Sequence, residues 1–411
     1  MPNPSVTGAA SSGDATSADA YRAALVDQLR ELGAIRTERV AGAFRAVPRH
    51  LFLPQVPLEE AYANEAVVTK RDEQGVALSS VSAPRLVAMM LEQLRMEPGQ
   101  RVLEIGSGGF NAALLAELVG PQGSVTTMDI DPEVVDRART TLDAAGYRQV
   151  RTLCADGEFG AAEYAPFDRI IVTVGAYDLP PAWVEQLAEG GRLVVPLRLR
   201  GLTRAVAFER DGGRLVADEY VLCGFVPMQG AGEQRERLVR LHDTVGLRID
   251  DGQPADETAL RDALSQSRAE AWSAVHAGTG QRLDGLHLWL AVSSPAFALL
   301  AATPEAVEQG LVAHAWPLGV PTVFDGGSFA YLTLRPTGPD RQRFQLGAVG
   351  HGPEGAKLAE AMVERISSWD GTHLDARIEV YPAGTPDDQL PGGALVLSKR
   401  HTRIAVSWPG V

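Results

Sequence analysis

The sequence predicts an open, mostly parallel α/β sheet, with N-terminal helices before it and an additional α+β domain after it. Between residues 101 and 197, short apolar runs alternate with helix-forming runs, as in sheets built from strand–helix–strand units. The first of these apolar runs leads directly into a glycine turn and a helix start. In such a sheet, a ligand is expected at the carboxyl ends of the strands.

The N-terminal region passes from small polar residues into helical patterning. Residues 1–19 are rich in Ser, Thr, Ala and Pro and are expected to be a disordered tail. An apolar stripe closed by a glycine predicts a helix over residues 21–33. Thr37 is expected to cap a second helix that ends before Pro48. Residues 48–84 lack a regular pattern, and the proline that closes them fits the first turn of a third helix.

The central region supplies the strands of the parallel sheet. Five strands are predicted, at residues 101–105, 124–131, 151–157, 167–174 and 192–197. Helices are expected in the gaps at residues 111–119, 132–145 and 180–189. Residues 205–222 have the pattern of a hairpin and would form an antiparallel edge. These elements, with the helices before them, define a predicted catalytic domain over residues 20–232.

The rest of the chain is expected to hold a connector and a second domain. Residues 233–284 are polar and rich in Gly, Glu and Arg, which predicts a connector with one or two helices. Residues 285–411 are expected to form an accessory α+β domain with a strong helix at 354–368. Its strands are predicted at residues 286–292, 321–325, 329–336, 344–350, 376–382 and 402–408.

Composition narrows the class of protein. The chain has 411 residues, of which 45% are hydrophobic, enough to bury more than one core. Its net charge of −14 disfavours nucleic acid and anionic membrane as partners. No apolar run is long enough to cross a bilayer, and the N-terminus lacks a secretion signal. With only two cysteines, the chain is expected to be cytoplasmic and free of disulfides.

The stretch RVLEIGSGGFNAALLA at residues 101–116 points most directly to function. An apolar strand leads into Gly106, Gly108 and Gly109 and then into a helix, which lets a nucleotide lie against bare backbone. Glu104 lies inside the apolar strand, where an unpaired carboxylate would be unfavourable. It is expected to meet a cationic or hydrogen-bonding group, such as the amino end of a cofactor.

Acidic residues at the following strand ends favour S-adenosylmethionine as the nucleotide. The spacing GSGG departs from GxGxxG, which argues against a dinucleotide. Asp129 follows the glycines by about 20 residues, the separation at which an acidic side chain holds ribose hydroxyls. Asp156 and Gly157 end the next strand, where an adenine amino group would lie. Alternatively, Asp129 caps the next helix and Asp156 is an ordinary turn residue.

On these motifs, residues 43–200 resemble the protein-L-isoaspartate O-methyltransferase family. The matching segments are PRHLFLP (48–54), AYANEAV (61–67), SSVSAP (79–84), VLEIGSGG (102–109), ADG (155–157), APFDRIIVTVGA (165–176) and GGRLVVPL (190–197). The resemblance implies a class I (Rossmann-like) methyltransferase fold. It also implies a carboxyl O-methyltransferase that uses S-adenosylmethionine and releases S-adenosylhomocysteine, with no metal in the site.

The resemblance also implies roles for individual residues. Ser80 and Ser82 match a Thr/Ser-x-Ser element whose hydroxyls lie near the methyl donor and the accepting carboxylate, so they are the expected catalytic residues. The expected cofactor-binding residues are Ser82, Glu104, Gly106, Ser107, Gly108, Asp129, Ile130, Asp156 and Gly157. Residues 172–175 would form the floor under the substrate backbone. The expected substrate-binding residues are Asn64, Val67, Ser80, Val174 and Gly175.

Three departures from the family pattern suggest a specialised branch. The glycine turn is one residue shorter than GxGxG, Asn64 replaces an acidic residue, and a long region follows the catalytic domain. We therefore expect the substrate to be an Asp in a ribosomally made, modified peptide such as a lanthipeptide, lasso peptide or graspetide. General repair of isoaspartate is the alternative, and a non-catalytic cofactor-binding partner of a maturation complex is a second one. The oligomeric state stays open.

The expected chemistry needs little from the protein besides alignment. A carboxylate is already ionised at neutral pH, so methyl transfer to it needs no strong general base. The methyl ester would then close to a succinimide (aspartimide), which can hydrolyse to isoaspartate. The accessory domain is expected to recognise the peptide substrate. Its basic run KRHTR at 399–403 is either a solvated edge or a receptor for an acidic peptide.

Overall fold

The computed structural model describes two compact units. The described residues are 12–250, 252–338, 341–369 and 376–408, so residues 1–11 of the predicted tail lie outside them. The first unit extends to residue 233 but leaves out residues 197–204. The second unit holds those eight residues and the chain from residue 234 onward.

The N-terminal helices of the first unit start earlier than predicted. Helix α1 spans Ser12–Glu31, so residues 12–19 are helical and the prediction of a disordered tail was wrong for them. Helix α2 spans Glu38–Ala46, and the Thr37 hydroxyl accepts a hydrogen bond from the Val40 amide, as predicted for an N-cap.

Residues 48–84, predicted to be irregular, contain a short helix and a hairpin. Helix α3 spans Leu58–Ala61, and strands β1 (Val67–Arg71) and β2 (Ala77–Val81) pair antiparallel. Both strands are short and rich in polar residues, which hides their period from sequence reasoning. Helix α4 (Pro84–Leu94) then begins at its proline, as predicted.

The main sheet of the first unit confirms the predicted parallel α/β fold. Its elements are β3 (Arg101–Ile105), α5 (Phe110–Val119), β4 (Ser124–Asp129), α6 (Pro132–Ala144), β5 (Arg151–Cys154), β6 (Phe167–Val172), α7 (Pro181–Gln186), β7 (Leu187–Leu199), β8 (Leu202–Asp211) and β9 (Arg214–Leu222). The strand order is β9-β8-β7-β6-β3-β4-β5, and strands β3 to β6 pair in parallel. Helix α7 is shorter than predicted because β7 begins at Leu187.

This strand order places a switch point at the end of β3. From β3 the chain moves to β4 and β5 on one side and then crosses to β6 on the other side. Loops that leave neighbouring strands in opposite directions open a crevice between them, where ligands of such sheets bind.

The second unit is rich in antiparallel strands. Its elements are β10 (Arg237–His242), β11 (Val245–Ile249), α8 (Glu257–Leu264), β12 (Ala269–Gly278), α9 (Asp284–Ser293), β13 (Phe297–Ala302), α10 (Pro304–Glu308), β14 (Val320–Asp325), β15 (Ser328–Thr337), β16 (Arg343–His351), α11 (Gly355–Ser368), β17 (Arg377–Pro382), β18 (Leu395–Ser398) and β19 (Thr402–Ser407). One sheet has the order β10-β11-β13-β14-β15-β16-β12, and β17, β19 and β18 pair antiparallel.

Two predictions for this unit were wrong. Residues 233–284 are not a connector, because they supply β10, β11, α8 and β12 to the folded unit. Residues 286–292, predicted to be a strand, lie in helix α9. Most side chains of α9 are buried, so the segment is apolar on nearly all sides and its sequence carries no helical period.

Each unit has its own hydrophobic core. The first core gathers the N-terminal helices, α4 and α5 against the sheet, and the second gathers α8, α9 and α11 against the strands of the second unit. In the described parts of the chain, no helix has the length and apolar character that crossing a membrane requires.

Candidate active site

The turn after β3 lies at the switch point and requires glycine. Gly106 has φ +94°, a left-handed conformation that side chains other than glycine rarely adopt. A Cβ at Gly106 would lie 2.7 Å from Thr173 Oγ1 and 3.0 Å from a methyl group of Val174. The Thr173 hydroxyl donates to the Gly106 carbonyl at 2.6 Å, so β6 fixes the shape of the turn.

The shorter glycine turn passes straight into helix α5. Gly109, with φ +79°, is the N-cap of α5, and a Cβ there would lie 3.0 Å from the ring of Phe52. Gly108 has an ordinary backbone conformation, and a Cβ there would meet nothing closer than the Ser80 carbonyl at 3.6 Å. The hairpin β1–β2 therefore packs directly on the turn.

Two cavities border the glycine turn. The first, called here the acceptor cavity, is lined by Ser80, Val81, Ser82, Val87, Met90, Glu104, Gly108, Phe110, Asn111, Ile171, Thr173 and Phe225. The second, called here the nucleoside cavity, is lined by Leu78, Ile105, Gly106, Met128, Asp129, Ile130, Gly157, Val174, Pro227, Met228 and Gln229. Together they bring most of the predicted site residues to one place.

Glu104 meets the hydrogen-bonding groups that its buried position predicted. Its side chain is fully buried and accepts hydrogen bonds from Asn111 Nδ2 at 2.7 Å and Thr127 Oγ1 at 2.5 Å. Burial raises its pKa to about 7, against the effect of both hydrogen bonds. The group is thus poised to be ionised by a cation in the acceptor cavity.

Asp129 faces the nucleoside cavity and does not cap the next helix. Its carboxylate accepts hydrogen bonds from the Ser107 amide and the Asp131 amide, both at 3.0 Å. Burial raises its pKa. The cap of α6 is Asp131, whose side chain accepts from the Glu133 and Val134 amides. Asp129 therefore orders the glycine turn and leaves acceptor capacity for hydroxyl groups.

Asp156 and Gly157 lie together at the end of β5 but act differently. The Asp156 carboxylate accepts from the Glu158 amide at 2.9 Å and from the Ala231 amide at 2.8 Å, so it holds two backbone segments together. Gly157 lines the nucleoside cavity, and a Cβ there would lie 2.5 Å from Ile105. The adenine contact expected of Asp156 stays a prediction.

The hairpin β1–β2 carries the two predicted catalytic serines. Ser80 lies on β2 and Ser82 just after it, and both line the acceptor cavity. Arg137 of α6 donates to Thr69 Oγ1 at 2.9 Å and Ser79 Oγ at 3.2 Å, while Lys70 pairs with Asp131 at 2.6 Å. Helix α6 thus fixes the hairpin.

Val67 begins the same hairpin and helps to fix its end. It is buried and pairs in register with Val81, the residue between the two serines. Its predicted contact with substrate stays a prediction.

The other predicted substrate residues have partners within the protein. Asn64 Oδ1 accepts a hydrogen bond from the Arg85 amide at 2.9 Å, in the first turn of α4. The Gly175 amide donates to the Val226 carbonyl at 2.7 Å, and its carbonyl accepts from the Met228 amide at 3.0 Å. The backbone of Gly175 is therefore engaged by residues 226–228, and the role of residues 172–175 as the substrate floor stays a prediction.

Several lining residues escaped sequence reasoning. Asn111 and Thr173 carry polar atoms in the acceptor cavity, and Phe225 and Met228 come from a segment after β9 with no recognisable motif. The glycines of that segment were the one sequence feature that could have drawn attention to it. At Gly230 a side chain would collide with the Asp156 carboxylate.

The residues present fit S-adenosylmethionine. Ser107 Oγ and Asn111 Oδ1 are buried and have no hydrogen-bond partner among the described residues, which suits a polar ligand beside the turn. Glu104 and Asn111 can hold the amino-acid end of the cofactor, and Asp129 with Ile130 can hold its ribose. Gly106 and Gly157 line the nucleoside cavity, where their backbone can lie against a ligand.

Comparisons with known proteins show the family of this chain. The family described as "Protein-L-isoaspartate(D-aspartate) O-methyltransferase" matches residues 20–233. The protein-L-isoaspartate O-methyltransferase of Methanopyrus kandleri is 41% identical over 212 residues, covering 51% of this chain and 91% of the relative. The enzyme of that name from Methanococcoides burtonii is 40% identical over 194 residues, covering 47% of this chain and 93% of the relative.

One solved structure shares the fold beyond the region that the family matches. It is titled "protein-L-isoaspartate O-methyltransferase", is 22% identical and has a TM-score of 0.50. The match covers 87% of this chain and 96% of that chain, so it includes residues of the second unit. A long C-terminal region is therefore not evidence, on its fold alone, for a specialised branch.

Proposed function

The chain belongs to the protein-L-isoaspartate O-methyltransferase family and is an S-adenosylmethionine-dependent carboxyl O-methyltransferase, and from this premise we propose that it esterifies L-isoaspartyl residues in proteins. The observation that carries the proposal is the acceptor cavity, where Ser80 and Ser82 share one wall with the glycine turn. A carboxylate placed between the serines and the turn would lie beside the bound cofactor.

The serine hydroxyls suit an acceptor that is already a nucleophile. An ionised carboxylate needs alignment rather than deprotonation. Alignment, together with exclusion of water, can lower the activation barrier by at most roughly 7–11 kcal/mol. Ser80 and Ser82 have no side-chain hydrogen bond within the described residues that would compete for their hydroxyls. Each can donate to a carboxylate oxygen and orient it without neutralising it.

The remaining cavity residues hold the donor. When bound, S-adenosylmethionine supplies an electrophilic methyl group on a positively charged sulfur. Glu104 attracts the positive end of the cofactor, and Asp129 accepts hydrogen bonds from ribose hydroxyls. Phe225 lines the acceptor cavity and Met228 the nucleoside cavity, and their apolar side chains would exclude water around a bound cofactor.

The product of the transfer reacts further without a protein group. A methyl ester has a better leaving group than a carboxylate. The amide nitrogen of the following residue attacks the ester carbonyl, loses its proton and expels methanol, which closes a succinimide. Hydrolysis of that ring gives aspartate or isoaspartate, so repeated cycles convert isoaspartate to aspartate.

A second candidate substrate is an Asp in a ribosomally made, modified peptide. Its support is confined to the sequence, in which Asn64 replaces an acidic residue and the glycine turn is one residue shorter than GxGxG. In this proposal the second unit recognises the peptide. The basic run contributes little to that role, because Arg403 pairs with Asp387 at 2.5 Å and Lys399 donates to the Arg198 carbonyl at 2.6 Å.

Acceptor competition separates the two candidates. The enzyme is incubated with S-adenosylmethionine and either a linear isoaspartyl peptide, its ordinary aspartyl counterpart or a cyclised Asp-containing peptide, and intact masses are followed. Rapid methylation of the isoaspartyl peptide alone is the expected result. Methylation of only the cyclised peptide, followed by net loss of one water, would overturn it in favour of the second candidate.

A further inference from the structure

The charge that lines the acceptor cavity disfavours binding of a carboxylate. Among the described residues that line it, the only charged side chain is Glu104, an acid. An ionised Glu104 attracts the positively charged cofactor but repels the carboxylate that must approach the methyl group. A cation near the acceptor side would offset this repulsion.

Arg49 places a guanidinium directly behind that side. It is 1% exposed and begins a 3₁₀ turn, Arg49–Phe52. Its Nη2 lies 3.5 Å from the Val81 carbonyl, between the two serines, and its Cζ lies 4.9 Å from the ring centroid of Phe110. Val81 and Phe110 both line the acceptor cavity, so the charge lies one layer behind the wall.

The charge of Arg49 is held by backbone rather than by an acid. Its Nε donates to the Ala61 carbonyl at 2.7 Å, and its Nη2 donates to the Glu65 carbonyl at 3.3 Å. No carboxylate of the described residues makes an ion pair with it, and its buried Nη1 has no hydrogen-bond partner among them. Burial lowers its pKa to about 9, so it stays a cation at neutral pH.

A buried guanidinium without an anion is unfavourable, and its positive potential extends into the cavity. We propose that Arg49 is a positioning residue that attracts the ionised acceptor carboxylate through the wall formed by Val81 and Phe110. The inference rests on the proposed isoaspartyl activity. Because the guanidinium does not touch the carboxylate, it favours binding without the loss of nucleophilicity that a direct ion pair would cause.

A pair of peptides tests whether the charge acts on the acceptor. Affinities are measured, with S-adenosylhomocysteine present, for an isoaspartyl peptide and for its neutral isoasparaginyl analogue. The wild-type enzyme is expected to prefer the charged peptide. Arg49→Met should reduce that preference by about tenfold, the effect of one charge acting through a few ångströms of protein. Arg49→Lys, which keeps the charge, should restore most of it.

Arg169 offers a matched control. It also donates to backbone carbonyls, those of Leu94, Asp168 and Arg95, but it lies at the start of β6, away from the cavity. Arg169→Met should leave the peptide preference unchanged, and every variant should bind S-adenosylhomocysteine within about twofold of wild type. Equal weakening of both peptides by Arg49→Met would overturn the inference, because a purely structural role affects both alike.

Failure of the proposed function has a different signature. If wild-type enzyme does not methylate isoaspartyl peptide, the proposed acceptor is wrong whatever the variants do. If wild type is active and Arg49→Met keeps the full preference for the charged peptide, only the inference about Arg49 is wrong. Should Arg49→Met not fold, Arg49→Gln takes its place at pH 7, because glutamine keeps a hydrogen-bond donor for the Ala61 and Glu65 carbonyls but removes the charge. A full preference for the charged peptide in Arg49→Gln would overturn the inference.

Discussion

Two sets of titratable side chains, one in each unit of this protein, differ in their surroundings. In the first unit, the buried carboxylate of Glu104 and the half-buried carboxylate of Asp129 border cavities and accept hydrogen bonds from Asn111, Thr127 and backbone amides. In the second unit, three buried or half-buried imidazoles lie against aromatic rings, such as that of His351 against Phe329 at 4.9 Å. The carboxylates lie where a ligand can reach them, whereas His351 lies within a core.

The titration of these groups has opposite sign in the two units. Burial raises the pKa of Glu104 to about 7 but lowers the pKa values of His287, His314 and His351 to about 4. Arg204 and Asp284 lie near His287, and Arg268 lies near His351, and their effects are smaller than that of burial. At Glu104 acid should therefore favour the folded state, and at the three histidines acid should disfavour it.

The largest effect is expected from a substitution in the glycine turn. If cofactor affinity did not change, the first unit would not differ from the second in the way described. Gly106→Ala should lower the affinity for S-adenosylmethionine by on the order of a hundredfold, because its φ and the approach of Thr173 both exclude a side chain. Gly108→Ala is the matched control, since a Cβ there would make only an ordinary van der Waals contact, 3.6 Å from the Ser80 carbonyl oxygen. Calorimetric titration measures both. Equal affinities for the two variants would mean that the turn does not face the cofactor.

A smaller effect is expected from pH at the cofactor site. Because the positive end of the cofactor prefers ionised Glu104, affinity should fall by up to about tenfold per pH unit below pH 7. Glu104→Gln should remove this slope, while Glu117→Gln, which removes an acid that contacts Tyr147, should keep it. Titration in buffers of different ionisation enthalpy would also detect proton release on binding. A slope that persists in Glu104→Gln contradicts the assignment.

The smallest effect is an acid-induced loss of stability expected in the second unit. In the unfolded chain the histidines bind protons at their ordinary pKa, whereas burial in the folded unit lowers that pKa. Stability is therefore lost as pH falls from about 6.5 towards 4. For His351, at 3% exposure, the loss amounts to about 1–3 kcal/mol.

Hydrogen exchange at pH 7 and pH 5 would resolve the two units separately. Protection in β14–β16 should fall with acid while protection in β3–β6 does not. His351→Phe should reduce the acid sensitivity, and His242→Asn, at an exposed position, should not. Equal loss of protection in both units would show that the two kinds of buried group do not differ in the way described.

Sequence patterns predicted the parts of the fold that have strong periods. Strands β3 to β6 were found because short runs with apolar and β-branched residues alternate with helix-forming runs, and Thr37 and Pro84 marked helix starts correctly. Strand β10 was missed because it alternates apolar and polar side chains at the edge of its sheet, which resembles a polar connector. Fold prediction therefore failed at such an exposed edge and also at α9, whose nearly uniform apolar character hides its helical period.

The site was predicted where residues carry motifs and missed where they act through backbone. Glu104 lies near the end of β3, Asp129 ends β4 and Gly157 lies just beyond β5, so their positions were predictable from strand ends. Arg49 lies within a matching segment, yet nothing in its sequence shows that it is buried behind Val81. Thr173 becomes recognisable only when β6 brings it to the turn, and Asn111 only when the start of α5 turns its side chain towards Glu104.

Residues 197–204 belong to the second unit although they connect β7 and β8 of the first, and this affects how the first unit can be expressed alone. Their partners lie in the second unit, where Arg198 pairs with Asp250 and Arg200 donates to the carbonyls of Ala291 and Ser294. A protein that ends at residue 233 would contain β7 and β8, but the arginines between residues 197 and 204 would lack those hydrogen-bond acceptors. Expressing the catalytic half alone therefore calls for a redesigned hairpin as well as a new terminus.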